Sequence, residues 1–381
     1  MLDNLRRAIV AYYCNEVSPR NGLISDKSQP GSASSIAAVG MGLSVYIVAV
    51  KRGVISRAEG VNRTLTLLRF LHSSHQSPEP DATGYKGFYY HFLDIQTGRR
   101  AFQCEVSTID TAILMARVLT VASYFTAESL EESEIRKLAE ILYQRVDWQW
   151  ALDKGTTISH GWMPESGFLP YRWDKGYNEA LILYALALGS PTFPIHPQGY
   201  KEWISTFEWK KVYDIEYLYA GPLFIHQMSH LWVVNGVRRT FFGYESRGAP
   251  FGPDDGTISP WAVATSLPFA PEIVIETIRH IIEVLESRGH SPYGFVASFN
   301  PTCPDSNANQ GAWTSPWIFG SNEGPILMMN ENYIFAHYNE YFWGLTASDG
   351  PGPAALSHGA YLEAYSAMPL HRGRPSARRI P

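Results

Sequence analysis

Apolar residues recur at three- and four-residue spacing along most of the chain, whereas period-two alternation is scarce and short. The pattern predicts helices near residues 3–16, 33–50, 56–73, 107–126, 130–146, 177–189, 198–207, 223–234, 257–268, 271–288 and 322–333. The loops between them are very uneven in length. Helices in that number and so joined suit a helical toroid better than a simple bundle.

The predicted helices fall into two kinds. Ser34-Ser35-Ile36-Ala37-Ala38, Ser107-Thr108-Ile109-Asp110-Thr111-Ala112 and Thr257-Ile258-Ser259-Pro260-Trp261-Ala262 open with hydroxyl residues and continue small and apolar. Hydroxyls cap helix starts, and a helix apolar all round is buried. Ala37, Ala112 and Ala262 are therefore expected on inner helices. Segment 130–146 instead interleaves Glu131, Glu132, Glu134, Arg136, Lys137 and Glu140 with apolar residues, as an outer helix would. Inner helices paired with charged outer ones give an all-α, (α/α) toroid, with loops at one end building the site. No Gly/Ser tract or charge block marks a linker, so residues 1–365 are read as one domain. The basic stretch His371–Arg379 falls in a tail over 366–381.

Ile36–Val50 is apolar, but at about 15 residues it is shorter than the ~20 a membrane span needs, so no span is expected. No apolar signal core follows the amphipathic start. The sequence as it stands therefore reads as cytoplasmic, or as periplasmic if an export signal has been removed. Formal net charge is -5 with basic residues dispersed, which argues against a nucleic-acid partner. Cys14, Cys104 and Cys303 lie far apart without metal-ligand spacing. His226 and His230 stand at i, i+4, yet no glutamate follows His226 and no third ligand is evident. No metal or other cofactor is expected, and these histidines suit sugar hydroxyls better.

Aromatic residues are abundant, with 11 Trp, 22 Tyr and 18 Phe. Trp162, Trp173, Trp313, Trp317 and Trp343 stand beside carboxylates, Gly and Pro in loops, where an aromatic face can pack on the C–H face of a pyranose. Glycoside cleavage needs two carboxyl groups across the scissile bond. Glu105 and Glu179 stand at predicted inner-helix starts, in reach of a cleft, although the helix dipole alone also favours a carboxylate there. Asp254 and Asp255 beside Gly256 read first as a turn and cap.

Ser56-Arg57-Ala58-Glu59-Gly60, Gly87-Phe88-Tyr89-Tyr90-His91-Phe92, Glu105-Val106-Ser107-Thr108-Ile109-Asp110, Pro164-Glu165-Ser166-Gly167-Phe168, Gly176-Tyr177-Asn178-Glu179-Ala180, Gly221-Pro222-Leu223-Phe224, Pro253-Asp254-Asp255-Gly256-Thr257 and Trp343–Pro351 resemble, in sum, the bacterial glucoamylase-like domain. The resemblance runs from about residue 25 to 365. Members include endo-β-1,2-glucanases and the transglycosylating domain of cyclic β-1,2-glucan synthases. It implies an (α/α)6 toroid, no metal cofactor, and hydrolysis or transglycosylation of a β-glucan, most of all β-1,2-glucan. Glu179 carries over as general acid, Glu105 as second essential acid, and Glu323 as the acid available for a hydrolytic base, where Asn322 could not serve. Arg57, Trp162, Arg172, Trp173, Tyr177, His230, Tyr244, Trp313, Trp317, Trp343 and Asp349 would line the sugar subsites.

One departure concerns order. In relatives the Trp-Gly-Leu-Thr-Ala-Ser-Asp-Gly-Pro motif precedes Phe-Phe-Gly-Tyr, whereas here Val234 leads almost directly to Phe241 and the motif lies at Trp343–Pro351. If the motif keeps its family place, Asp349 approaches Glu179, Tyr244 and Trp317, and the chain is discontinuous near 234–241 and 332–335. The departure also feeds a rival reading, a non-catalytic carbohydrate-binding protein on the same fold.

Overall fold

The structure, a computed structural model, describes residues 1–212, 215–221, 225, 256–286, 291–300 and 313–336. In chain order its elements are α1 (Leu2–Asn15), β1 (Ser34–Ser35), α2 (Ile36–Lys51), α3 (Arg57–Ser73), β2 (Gly84–Tyr85), β3 (Phe88–Tyr90), β4 (Phe92–Leu93), β5 (Val106–Ser107), α4 (Thr108–Tyr124), α5 (Leu130–Gln144), β6 (Gly161–Met163), β7 (Gly167–Phe168), α6 (Leu181–Leu188), α7 (Pro197–Ile204), β8 (Trp209–Val212), β9 (Ile215–Leu218), α8 (Pro260–Ala264), α9 (Pro271–Glu286), β10 (Phe299–Asn300), β11 (Trp313–Thr314) and α10 (Gly320–Ala336).

Helix α2 is buried at every position from Ile36 to Ala49, as its lack of a polar face requires. It packs between α4 and α10, α4 packs on α6, and α10 packs on α8. Around this inner series lie α1 against α10 and α2, α3 against α2, α5 against α3 and α4, and α9 against α8. The fold is an (α/α) toroid of paired inner and outer helices. Small residues let the inner helices approach closely: a Cβ added at Gly40 would stand 3.0 Å from the Leu114 Cα of α4. Glu331 of α10 is 1% exposed and binds Arg6 of α1 at 2.7 Å and the Arg52 guanidinium just beyond α2 at 2.5 Å, so one carboxylate ties three helices together.

The inner helices start at a shared end. Ile36 N–H donates to the His91 carbonyl, Thr108 N–H to the His160 carbonyl, and Gly320 N–H to the Asp26 carbonyl. Tyr184 of α6 reaches the same end through its hydroxyl, which donates to the Trp173 carbonyl. Short strands cover this end, the largest sheet running β2-β3-β5-β6-β7, antiparallel throughout.

Several expectations shift in detail. The helix expected over 177–189 begins only at Leu181, because Gly176 takes a positive φ and the Asn178 side chain accepts the Ala180 N–H in a turn. That over 257–268 shrinks to α8, since Ile258 pairs with Phe299 and Pro260 sets the helix start. Ala37 and Ala112 are buried, whereas Ala262 is half-buried. The break expected near 332–335 is absent, as α10 runs through it without interruption. The helix expected over 223–234, the join at 234–241 and the domain boundary at 365 lie outside the described residues. Among those residues, no helix is long and apolar enough to cross a membrane.

Candidate active site

The site grows from the start of α4. Ser107 caps the helix, its hydroxyl accepting the Asp110 N–H at 3.2 Å and donating to the Asp110 carboxylate. The two preceding residues are fixed by the sheet: Val106 faces Tyr90 on one side and Trp162 on the other. Beyond that register the His91 N–H donates to the Glu105 carbonyl, and the two side chains meet with Nδ1 of His91 2.9 Å from Oε1 of Glu105. Nε2 of His91 faces Asp110 Oδ2 at 3.8 Å. The Glu105 side chain lies across Gly161, where a Cβ would come within 2.8 Å of its Cγ. Only glycine leaves that space.

His91 and Glu105 keep 36% and 26% of their side-chain surface open to solvent. Burial disfavours the charged imidazole, but Asp110, Glu105 and Asp26 outweigh it and push the His91 pKa up to about 9. Burial likewise works against an ionised Glu105. The hydrogen bond and charge of His91, helped by Arg100, override it and hold the carboxyl below its usual range. Glu179 is displaced the other way, raised by burial and by the charge of Asp110, against a backbone hydrogen bond. Asp26 is also raised by burial, partly offset by Ser35 and His91. The two carboxyls are thus displaced in opposite directions, Glu105 toward the anion and Glu179 toward the acid, a division suited to paired acid and anion chemistry.

A second wall is built by His160 and Trp173, whose rings stack at 3.8 Å. The Trp173 indole N–H donates to Thr108 Oγ1 at 3.0 Å. Burial lowers the His160 pKa. Among the described residues no group of three or more His, Cys, Asp or Glu side chains is placed to hold a metal ion.

Several expected subsite residues serve other purposes. Arg57 binds Glu132 at 2.7 Å and lies over the Tyr124 and Phe125 rings. That is the far end of the 17-residue α4 from Glu105, about 25 Å away along the axis. Arg172 is turned inward, donating to Thr157 Oγ1 at 3.0 Å and to the Leu152 carbonyl at 2.6 Å. Trp173 is buried beneath His160, Tyr177 packs edge-on against Phe207, and Trp313 is buried on β11. Trp162 and Trp317 are half-buried; Trp162 packs with Tyr85 and Trp150. Glu323 is fully buried in the first turn of α10, neither oxygen has a hydrogen-bond partner among the described residues, and burial raises its pKa well above the usual range. His230, Tyr244, Trp343 and Asp349 lie outside the described residues.

The sequence reading missed His91, Asp110 and Asp26 as site residues. His91 stood in an aromatic loop, and Asp110 had a signal as the fourth residue of a Ser-x-x-Asp cap. Asp26, in a long loop, had none.

The Glycoamylase family model matches residues 170–241 and 234–334. Over those residues the chain is similar to this glucoamylase-like family. The two matched segments overlap at 234–241. The exo-β-1,2-glucooligosaccharide sophorohydrolase (non-reducing end) of Parabacteroides distasonis is 25% identical over 87% of this chain and 54% of its own length. The chain therefore spans about half the length of that curated relative. A β-1,2-glucanase structure from Parabacteroides distasonis superposes with a TM-score of 0.77 at 22% identity, covering 95% of this chain and 59% of that one. The endo-β-1,2-glucanase of Chitinophaga pinensis, in complex with sophorotriose and glucose, superposes at 0.76 with 20% identity, covering 97% and 94%. These structural likenesses establish a shared toroid.

Proposed function

We propose that the chain is a glycoside hydrolase or transglycosylase acting on β-1,2-glucan, with Glu179 as general acid and Glu105 as its anionic partner. The observation that carries the reading is the opposite displacement of two carboxyls around Asp110: Glu179 raised, Glu105 lowered. The names of the similar proteins supply the linkage. Glu179 gives its proton to the glycosidic oxygen as the C–O bond breaks, and Glu105 attacks the anomeric carbon. Water, or a sugar hydroxyl in transfer, then displaces Glu105 and returns its proton to Glu179. His91 keeps Glu105 ionised, and the half-buried Trp162 and Trp317 offer aromatic surface to sugar rings.

The test is incubation of the full chain with linear β-1,2-glucan, followed by chromatography of the products. Shorter chains indicate hydrolysis, and cyclic or rearranged ones indicate transfer. Unchanged glucan with folded protein would favour the non-catalytic carbohydrate-binding reading.

A further inference from the structure

His91 sits between acids from separate segments of the chain. Its Nδ1 meets Glu105 at 2.9 Å and its Nε2 faces Asp110 at 3.8 Å. Its ring stacks on Phe92 at 4.2 Å with 7° between the planes. Its backbone is pinned on both sides, by the N–H to Glu105 and the carbonyl to Ile36. The imidazole therefore has little freedom to turn away from either acid. Asp110 is itself buried, and its orientation is set by Ser107. A capping role alone would account for the Ser107 contacts, but not for a histidine edge held toward the carboxylate.

We propose that Asp110 is the positioning residue of the site: it orients His91 toward Glu105. Asp110 acts through its neighbour and touches no sugar. Glu105 thereby depends on Asp110, and neutralising Asp110 loosens the His91–Glu105 pair. The remaining groups facing this cluster are Asp26 and Lys27 from the loop after α1, Arg100 and Cys104 from the segment before β5, and His160 with Asp174 beyond it. They stay in place when Asp110 is changed. The catalytic part of this inference rests on the proposed function; the histidine part does not.

The experiment uses Asp110→Asn, which keeps the shape and can still accept from Ser107, beside Asp110→Glu as the charge-conserving variant and Glu134→Gln on the outer helix as control. His91 is titrated by NMR of labelled imidazole, its signal assigned by its loss in His91→Gln. In the starting protein its pKa is pushed up to about 9; Asp110→Asn is expected to bring it down by about a unit or more. In parallel, β-1,2-glucan turnover of Asp110→Asn should show kcat falling about tenfold or more, with KM little changed. Asp110→Glu should restore part of both, and Glu134→Gln should change neither. An unchanged His91 titration in a folded Asp110→Asn protein overturns the proposal whatever the activity. A shifted titration with no turnover by the unmodified protein keeps the His91 pairing and removes the proposed function instead. Should Asp110→Asn fail to fold, Ser107→Ala decides: it releases Asp110 from its orientation, and the His91 titration is expected to move down. A His91 titration left where it was would make Asp110 a cap alone.

Discussion

The Arg57 guanidinium lies 2.7 Å from the Glu132 carboxylate, which is buried at the start of α5. The pair fastens two outer helices at the end of the toroid away from the cleft. Arg57→Ala leaves Glu132 without that partner and should cost about 1–3 kcal/mol of stability. Urea unfolding measures the loss. Glucan KM should remain where it was, and a large rise in KM with unchanged stability would return Arg57 to the subsites.

Glu179→Gln removes the proton donor and leaves the shape. Turnover of β-1,2-glucan should fall by about 10²- to 10⁴-fold, the usual contribution of a general acid, while the circular dichroism spectrum is unchanged. A variant retaining most of its rate would end the assignment.

His91 gives a pH dependence of stability. Its pKa is raised from 6.5 to about 9 in the folded state, so folding favours the protonated form. The stabilisation is complete below about 6.5 and disappears as pH rises through about 9. Glu105 has the opposite sign: its lowered pKa stabilises above the usual carboxylate range and is lost on acidification. Thermal melts of the starting protein and His91→Gln should therefore differ most from the carboxylate range up to about 6.5 and converge as pH rises through about 9. Parallel curves across that interval would contradict the charged histidine.

Glu331→Ala leaves Arg6 and Arg52 facing a buried gap. Breaking a buried ion pair costs about 3–5 kcal/mol, enough to threaten the fold of a marginally stable protein. Urea midpoints of this variant and of an Arg6→Ala, Glu331→Ala double variant would give the coupling. A double variant no more stable than the sum of the singles would show that the carboxylate does not join the helices energetically.

The layered fold was readable because burial leaves a signature in composition: α2 has no polar face, whereas α5 carries one. Glu105 and Glu179 stood out for their place at inner-helix starts. The sequence could not say which end of the toroid each loop occupies, so Arg57 was read into a cleft that lies the length of α4 away. Nor does spacing distinguish a guanidinium facing sugar from one facing carbonyls, as Arg172 does, or a carboxyl in a cleft from one sealed inside, as with Glu323. His91, Asp110 and Asp26 are joined by strand register and helix packing across long stretches of chain, and no local pattern encodes that meeting.

Arg6 and Glu331 are separated by 325 positions. During synthesis at about 5–20 residues per second, roughly 16–65 s pass between the appearance of one and of the other. Through that interval α1 has no α10 to rest on, and the nascent chain exposes its apolar face beside an unfinished ring. Completion of the seam is thus a late event in biogenesis. Delay at that step would prolong exposure to proteases and chaperones, so a substitution at Glu331 should reduce cellular yield more than equilibrium stability alone suggests.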